Sequence, residues 1–161
     1  MFLSKDNVVK IGDFGISKDM NNQTDALAKT ACGTPYFMAP EVCRHEPYNE
    51  KADIWAIGCI LYELAFLKKP FNSDTISGLF PMIIHQPLDP IPQDTDTDIR
   101  MLVLAMLDKD PVKRPSIWDL ANIPCIFNRI NSLVEEKQCQ AQVACIFEYK
   151  AVKDSEKQEP T

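Results

Sequence analysis

The hydrophobic pattern of this chain changes period along its length. Residues 1–12, MFLSKDNVVKIG, read as two short apolar strands joined by a turn at Lys5-Asp6-Asn7. Residues 16–37 keep neither a helical nor a strand period and are rich in Asn, Thr, Asp and Ala, with Gly33 and Pro35 near the end. A loop of that length inside a small domain usually carries function. A short helix is expected after Pro40, around Glu41–His45. The run ADIWAIGCILYELAFL, residues 52–67, is apolar on nearly every side, which predicts a helix over 51–67 at the centre of a core. Asn49 is its expected N-cap and Glu50 suits the first turn. Lys68-Lys69-Pro70 is expected to stop it.

Helical spacing then resumes. Ser73 is placed to cap a helix with Ile76, Leu79, Phe80, Ile83 and Ile84 on one face, although Gly78 and Pro81 predict a kink or a restart. Residues 87–94, PLDPIPQD, read as extended connector. Thr95 to Asp98 resembles a capping box ahead of Ile99, Leu102, Val103, Met106 and Leu107. Ser116 to Asp119 opens another helix in the same way, and helical pattern continues, with a break near Pro124, to about Lys137. The stretch QVACIFEYKAV is compatible with strand or with helix. The final KDSEKQEPT is charged and lacks large apolar groups, a composition that predicts disorder. The fold class that follows is mainly α, with a short N-terminal β-hairpin.

The 161 residues suit one hydrophobic core. A net charge of −6 argues against nonspecific nucleic-acid binding. The apolar run at 52–67 is short for a membrane span and carries Asp53 and Glu63, so no membrane segment is expected. Cysteines at 32, 43, 59, 125, 139 and 145 form no C-x-x-C pair, and with two histidines they offer no zinc-site pattern. Reduced, mostly buried thiols of a cytoplasmic protein are the expectation.

The chemistry is carried by blocks in a fixed order. Asp13-Phe14-Gly15 ends a strand, and Ala39-Pro40-Glu41 begins 26 positions after Asp13, preceded by GTPYF. Then come D-I-W-A-I-G at 53–58 and D-P-V-K-R-P at 110–115. Together they resemble the C-terminal lobe of eukaryotic protein kinases. The details GDFGISK and AKTACGTPYFMAPE resemble the NIMA-related (Nek) serine/threonine kinases. The resemblance covers about residues 2–122 and, more weakly, reaches about 138. It implies a partial kinase domain over 1–138 and a C-terminal extension over 139–161.

The resemblance implies roles residue by residue. Asp13 is the ligand of the Mg²⁺ that bridges the ATP phosphates. Phe14 packs inward and distinguishes active from inactive states, and Gly15 allows the turn. Thr30 is the activation-loop phosphorylation site, and Lys18 a cation that pairs with its phosphate. Thr34 supports the catalytic Asp. Pro35 and Tyr36 form the wall that meets the residue after the phosphoacceptor. Glu41 and Arg114 are a buried structural ion pair. Asp53, in the apolar helix, accepts hydrogen bonds from catalytic-loop N–H groups; an exposed first-turn carboxylate is the alternative. ATP and Mg²⁺ are the cofactors of the intact domain, and protein substrates its partners. A cytoplasmic location is implied, with cytoskeletal or ciliary association among relatives.

The family's H-R-D-x-x-x-x-N loop, with its catalytic Asp, is not found. His45 is followed by Glu-Pro and His85 by Gln-Pro, and the glycines at 12, 15, 33, 58 and 78 never make G-x-G-x-x-G. Met1-Phe2-Leu3 matches the strand that directly follows the missing Asn, so a chain without N-lobe and catalytic loop is expected. It would bind neither ATP nor Mg²⁺ tightly and would be inactive alone. Its bare apolar surface would then be covered by an N-lobe or by another protein. The alternative is a non-catalytic lobe that binds substrates or regulators.

Overall fold

The computed structural model describes residues 2–3, 9–10 and 35–137. Asp13, Phe14, Gly15, Lys18, Thr30, Thr34 and the extension after 138 lie outside the described residues. Strands β1 (Phe2–Leu3) and β2 (Val9–Lys10) pair antiparallel, Phe2 opposite Lys10 and Leu3 opposite Val9. A 3-10 turn at Pro35–Phe37 leads into α1 (Pro40–Cys43). The helices α2 (Lys51–Phe66), α3 (Ile76–His85), α4 (Thr97–Met106), α5 (Ile117–Ala121) and α6 (Pro124–Lys137) follow. Among the described residues the fold is therefore mainly helical, and no helix is long and apolar enough to cross a membrane.

The long apolar helix organises the rest. Trp55, Cys59 and Tyr62 of α2 meet Leu79 and Ile83 of α3, Val103 of α4, and Phe71 and Leu107 in one buried cluster. Ile54, adjacent to Trp55 but on another side of the helix, joins Met106 and Leu120 in a second. Trp55 stacks on Phe71 with ring centroids 5.9 Å apart and planes 5° from parallel. Gly58 lets α2 and α4 close: a Cβ there would stand 2.9 Å from Met106 Cβ and 3.0 Å from Leu107 Cδ2. Yet α2 is not enclosed on all sides as its composition predicts. Ile57 and Ile60 are half-buried, and Asp53 and Leu64 on the same side are exposed.

Helix ends show where local signals act and where they yield. Asn49 Oδ1 accepts from Lys51 N at 3.0 Å, but the residue bounding α2 is Glu50. The helix ends before the lysines, on Leu67 in the left-handed region at φ 53°, whose N–H donates to Glu63 O. Lys68 instead reaches Asp89 at 2.8 Å. The cap of α3 is Thr75, not Ser73: Thr75 Oγ1 accepts from Gly78 N at 3.1 Å. Helix α3 runs through Pro81 without the expected restart. Buried Leu79 and Ile83 hold it on both sides, and exposure lets water serve the carbonyl that proline leaves unpaired. Helix α4 is capped by Asp96, one residue later than expected, through Asp98 N at 2.9 Å and Ile99 N at 3.2 Å. The capping box at α5 forms as expected: Ser116 Oγ accepts from Asp119 N, and Asp119 Oδ2 accepts from Ser116 N.

Candidate functional site

The candidate side chains lie where the turn Pro35–Phe37 packs against α2 and α1 packs against α3. Tyr36 is held from two directions by the segment that joins α2 to α3. Its hydroxyl donates to Ser73 O at 3.1 Å, and the Lys69 ammonium lies 3.5 Å from its ring centroid. A cation at that distance is attracted by the negative face of the ring. The sequence gives no local reason for this contact: Lys69 reads as part of a helix stop, and its target lies 33 positions earlier.

Below the turn, Arg114 enters the core from the loop after α4. Its guanidinium donates to Glu41 Oε1 at 2.8 Å and Oε2 at 2.5 Å, to Lys51 O at 2.8 Å and, through Nε, to Asp108 O at 2.8 Å. Both partners are buried, Arg114 at 1% and Glu41 at 2% exposure. The sequence-based pairing is thus present as a bidentate contact. Such a pair is tolerable inside a protein because further guanidinium donors, Nε and the second Nη1 hydrogen, also find acceptors. Lys51 Nζ donates to Arg114 O, which ties the first turn of α2 to the same knot.

Trp55 forms the floor. Arg114 lies 5.2 Å from its ring centroid and Lys109 5.1 Å, while Lys109 is 3.8 Å from the Phe71 ring. Lys109 Nζ also donates to Ile83 O of α3. Burial pushes the Lys109 ammonium down to about 8, outweighing the neighbouring Cys59 and Cys43, which act the other way. Burial likewise pushes the Cys43 thiol up to about 11 and Cys59 up to about 12. These thiols are free and shielded, the state expected of them from the sequence. Lys51, Lys69 and Lys109 went unnoticed in the sequence because nothing in their local pattern separates them from solvated lysines.

Asp53 differs from the buried carboxylate that its apolar helix suggests. It is exposed, and partial desolvation, with Glu50 adding to it, raises its pKa. Exposed Asp53 and Leu64, with half-buried Ile57 and Ile60 between them, follow helical spacing down one side of α2. Glu41 and Arg114 are brought into contact, and Tyr36 packs on the cluster that contains Trp55, over which Arg114 lies; Asp53 lies in the exposed part of α2. Among the described residues, no group of three or more His, Cys, Asp or Glu side chains could hold a metal ion.

Comparison with known proteins agrees with this geometry. The protein kinase domain family matches residues 1–126. The chain is similar to the mouse serine/threonine-protein kinase Nek4, 39% identical over 135 residues, covering 84% of this chain and 17% of the relative. It is similar to mouse Nek1, 38% identical over 144 residues, covering 86% of the chain and 12% of that relative. A probable serine/threonine-protein kinase nek3 of Dictyostelium discoideum is 43% identical over 122 residues, 75% of the chain and 11% of its own length. The chain therefore spans less than a fifth of the length of each of these relatives. Residues that build the ion pair and the tyrosine turn lie inside the matched region, and the chain belongs to the protein kinase domain family, in its NIMA-related serine/threonine group.

Proposed function

We propose that this chain supplies the substrate-presenting part of a protein serine/threonine kinase that transfers phosphate from ATP to protein hydroxyl groups. The observation that carries the reading is the buried Glu41–Arg114 contact beneath the anchored Tyr36 turn. Phosphoryl transfer depends mostly on positioning and electrostatics, so a rigid wall for the peptide next to the acceptor is a working part of such an enzyme. Pro35 and Tyr36 then face the substrate, with Thr34 supporting the catalytic Asp. Asp13 is the Mg²⁺ ligand and Phe14 and Gly15 its turn. Thr30 receives the activating phosphate and Lys18 pairs with it. The partial domain runs over 1–138, with β1 and β2 as the strand pair ahead of Asp13, and 139–161 is an extension. Free, buried Cys43 and Cys59 support a cytoplasmic location.

The 161 residues contain no H-R-D-x-x-x-x-N segment, and this favours a second statement: by themselves they do not catalyse. The stripe Asp53, Ile57, Ile60 and Leu64 supports a face that the catalytic loop and N-lobe, or another protein, would cover. The test has two arms. The purified 161-residue chain, given Mg²⁺ and γ-labelled ATP, is expected to leave casein unlabelled. Protein tagged at its C-terminus and purified from its own cells is expected to label casein on serine or threonine, and to lose this with Asp13→Ala. Labelling by the short chain would sink the second statement; a native protein that labels nothing would sink the first.

A further inference from the structure

The wall at Tyr36 carries a charge that the family reading does not use. Tyr36 has spent its hydroxyl on Ser73 O, so the ring offers no free polar group to a peptide. The polar group at the wall is the half-buried Lys69 ammonium, 3.5 Å from the ring centroid. The adjacent Lys68 is engaged with Asp89 at 2.8 Å, and the lysines that enter the core are engaged with carbonyls, Lys51 with Arg114 O and Lys109 with Ile83 O. Among the described residues Lys69 makes no ion pair with a carboxylate, although Asp74 lies exposed in the same segment. A cation packed on an aromatic face has lost part of its hydration and gains from an anion that comes alongside.

We propose that Lys69 is a specificity-determining residue that selects peptides with a carboxylate side chain directly after the residue presented at the Pro35–Tyr36 wall. This rests on the reading of that wall as substrate-facing. The chain's net charge of −6 opposes acidic peptides at long range, so the selection is local to this contact. A basic side chain at the same place meets a like charge with no counter-ion beside it. The preference is therefore set by residue 69 and weakens as salt screens it.

The test uses the full 161-residue chain and three fluorescein-labelled peptides that differ only at the second residue after a central serine, carrying Glu, Ala or Lys there. Binding is read by fluorescence anisotropy. The Glu peptide is expected to bind about fivefold tighter than the Lys peptide, a ratio in the range of a partly exposed charge pair. Lys69→Arg keeps the order, Lys69→Gln removes it and Lys69→Glu reverses it. A thermal melt of each variant confirms folding, and the Gln variant carries the test if the Glu variant does not fold. Loss of the ring contact alone would weaken all three peptides equally and leave their order intact. An order unchanged in Lys69→Gln overturns the role of Lys69 while leaving the wall in place. If no peptide binds, the wall itself is not substrate-facing and both readings fall.

Discussion

Arg114 grips both carboxylate oxygens of Glu41 across 73 positions of sequence, at 2.8 and 2.5 Å, in a site that neither shares with water. Each residue alone would be a buried charge. Glu41→Gln leaves Arg114 without its counter-charge, and Arg114→Met leaves a buried carboxylate and the Lys51 and Asp108 carbonyls short of a donor. Each variant is expected to lose about 3–5 kcal/mol of stability, with Arg114→Met the worse of the two. Urea unfolding followed by circular dichroism checks both the size and the order.

Gly58→Ala tests the approach of α2 to α4. Alanine suits a helix better than glycine by about 1 kcal/mol. Here its methyl would meet Met106 Cβ, fixed to the backbone, at 2.9 Å and Leu107 Cδ2, on a side chain only 3% exposed, at 3.0 Å. The clash wins, and a net loss of about 1–3 kcal/mol is expected. Gly78→Ala is the control. Its nearest obstacle is Ser73 Oγ at 2.5 Å, the end of a side chain that can rotate, so Gly78→Ala in a Ser73→Ala background is expected to be close to neutral. Thermal melts of the three variants distinguish the cases.

The titration of the core gives a stability maximum in mild alkali. Lys109 titrates near 8 in the fold and near 10.5 when unfolded, so the unfolded chain binds more protons between these values and stability rises with pH there. Cys43 and Cys59 act with opposite sign: raised from 9.0 to about 11 and about 12, they lower stability as pH climbs above 9. The two trends cross near pH 9, where the midpoint of urea unfolding, measured under reducing conditions, is expected to peak. Lys109→Met removes the rise between 8 and 9 and keeps the later fall. A wild-type profile that falls steadily from pH 7.5 would count against this account.

Ser116→Ala removes one half of the capping box at α5. Asp119 N then loses its acceptor, and a loss of about 1 kcal/mol is expected. Amide exchange should speed up first at residues 117–119, where the orphaned N–H groups lie.

Much of this arrangement was legible in the sequence because it is written in local signals. The order of motifs predicted the pairing of Glu41 with Arg114, and Ser116 with Asp119 predicted a cap that forms as expected. Where two capping side chains compete within a few residues, the sequence misplaced the start: Thr75 caps where Ser73 was expected, and Asp96 where Thr95 was. Tertiary packing decides between such neighbours, through the burial of Leu79 in one case and Val103 in the other. Pro81 shows the same override, since buried neighbours hold a helix that its own propensity would break. The contacts of Lys51, Lys69 and Lys109 were illegible because each joins elements distant in sequence, and a lysine bears no mark of whether it meets water or a ring. The composition of its helix suggests a buried Asp53 and its place in the first turn an exposed one; composition says nothing of which flank a neighbour covers, and the carboxylate is exposed.

Leu67 holds a further consequence. It closes α2 at φ 53° while its side chain is 91% exposed, so it bears the cost of a left-handed backbone and, among the described residues, returns almost no burial. Glycine at that position would end the same helix without the steric penalty of a Cβ. The folded state thus keeps unused headroom: one exposed position where a smaller residue makes a sturdier protein. Stability alone does not account for the leucine there.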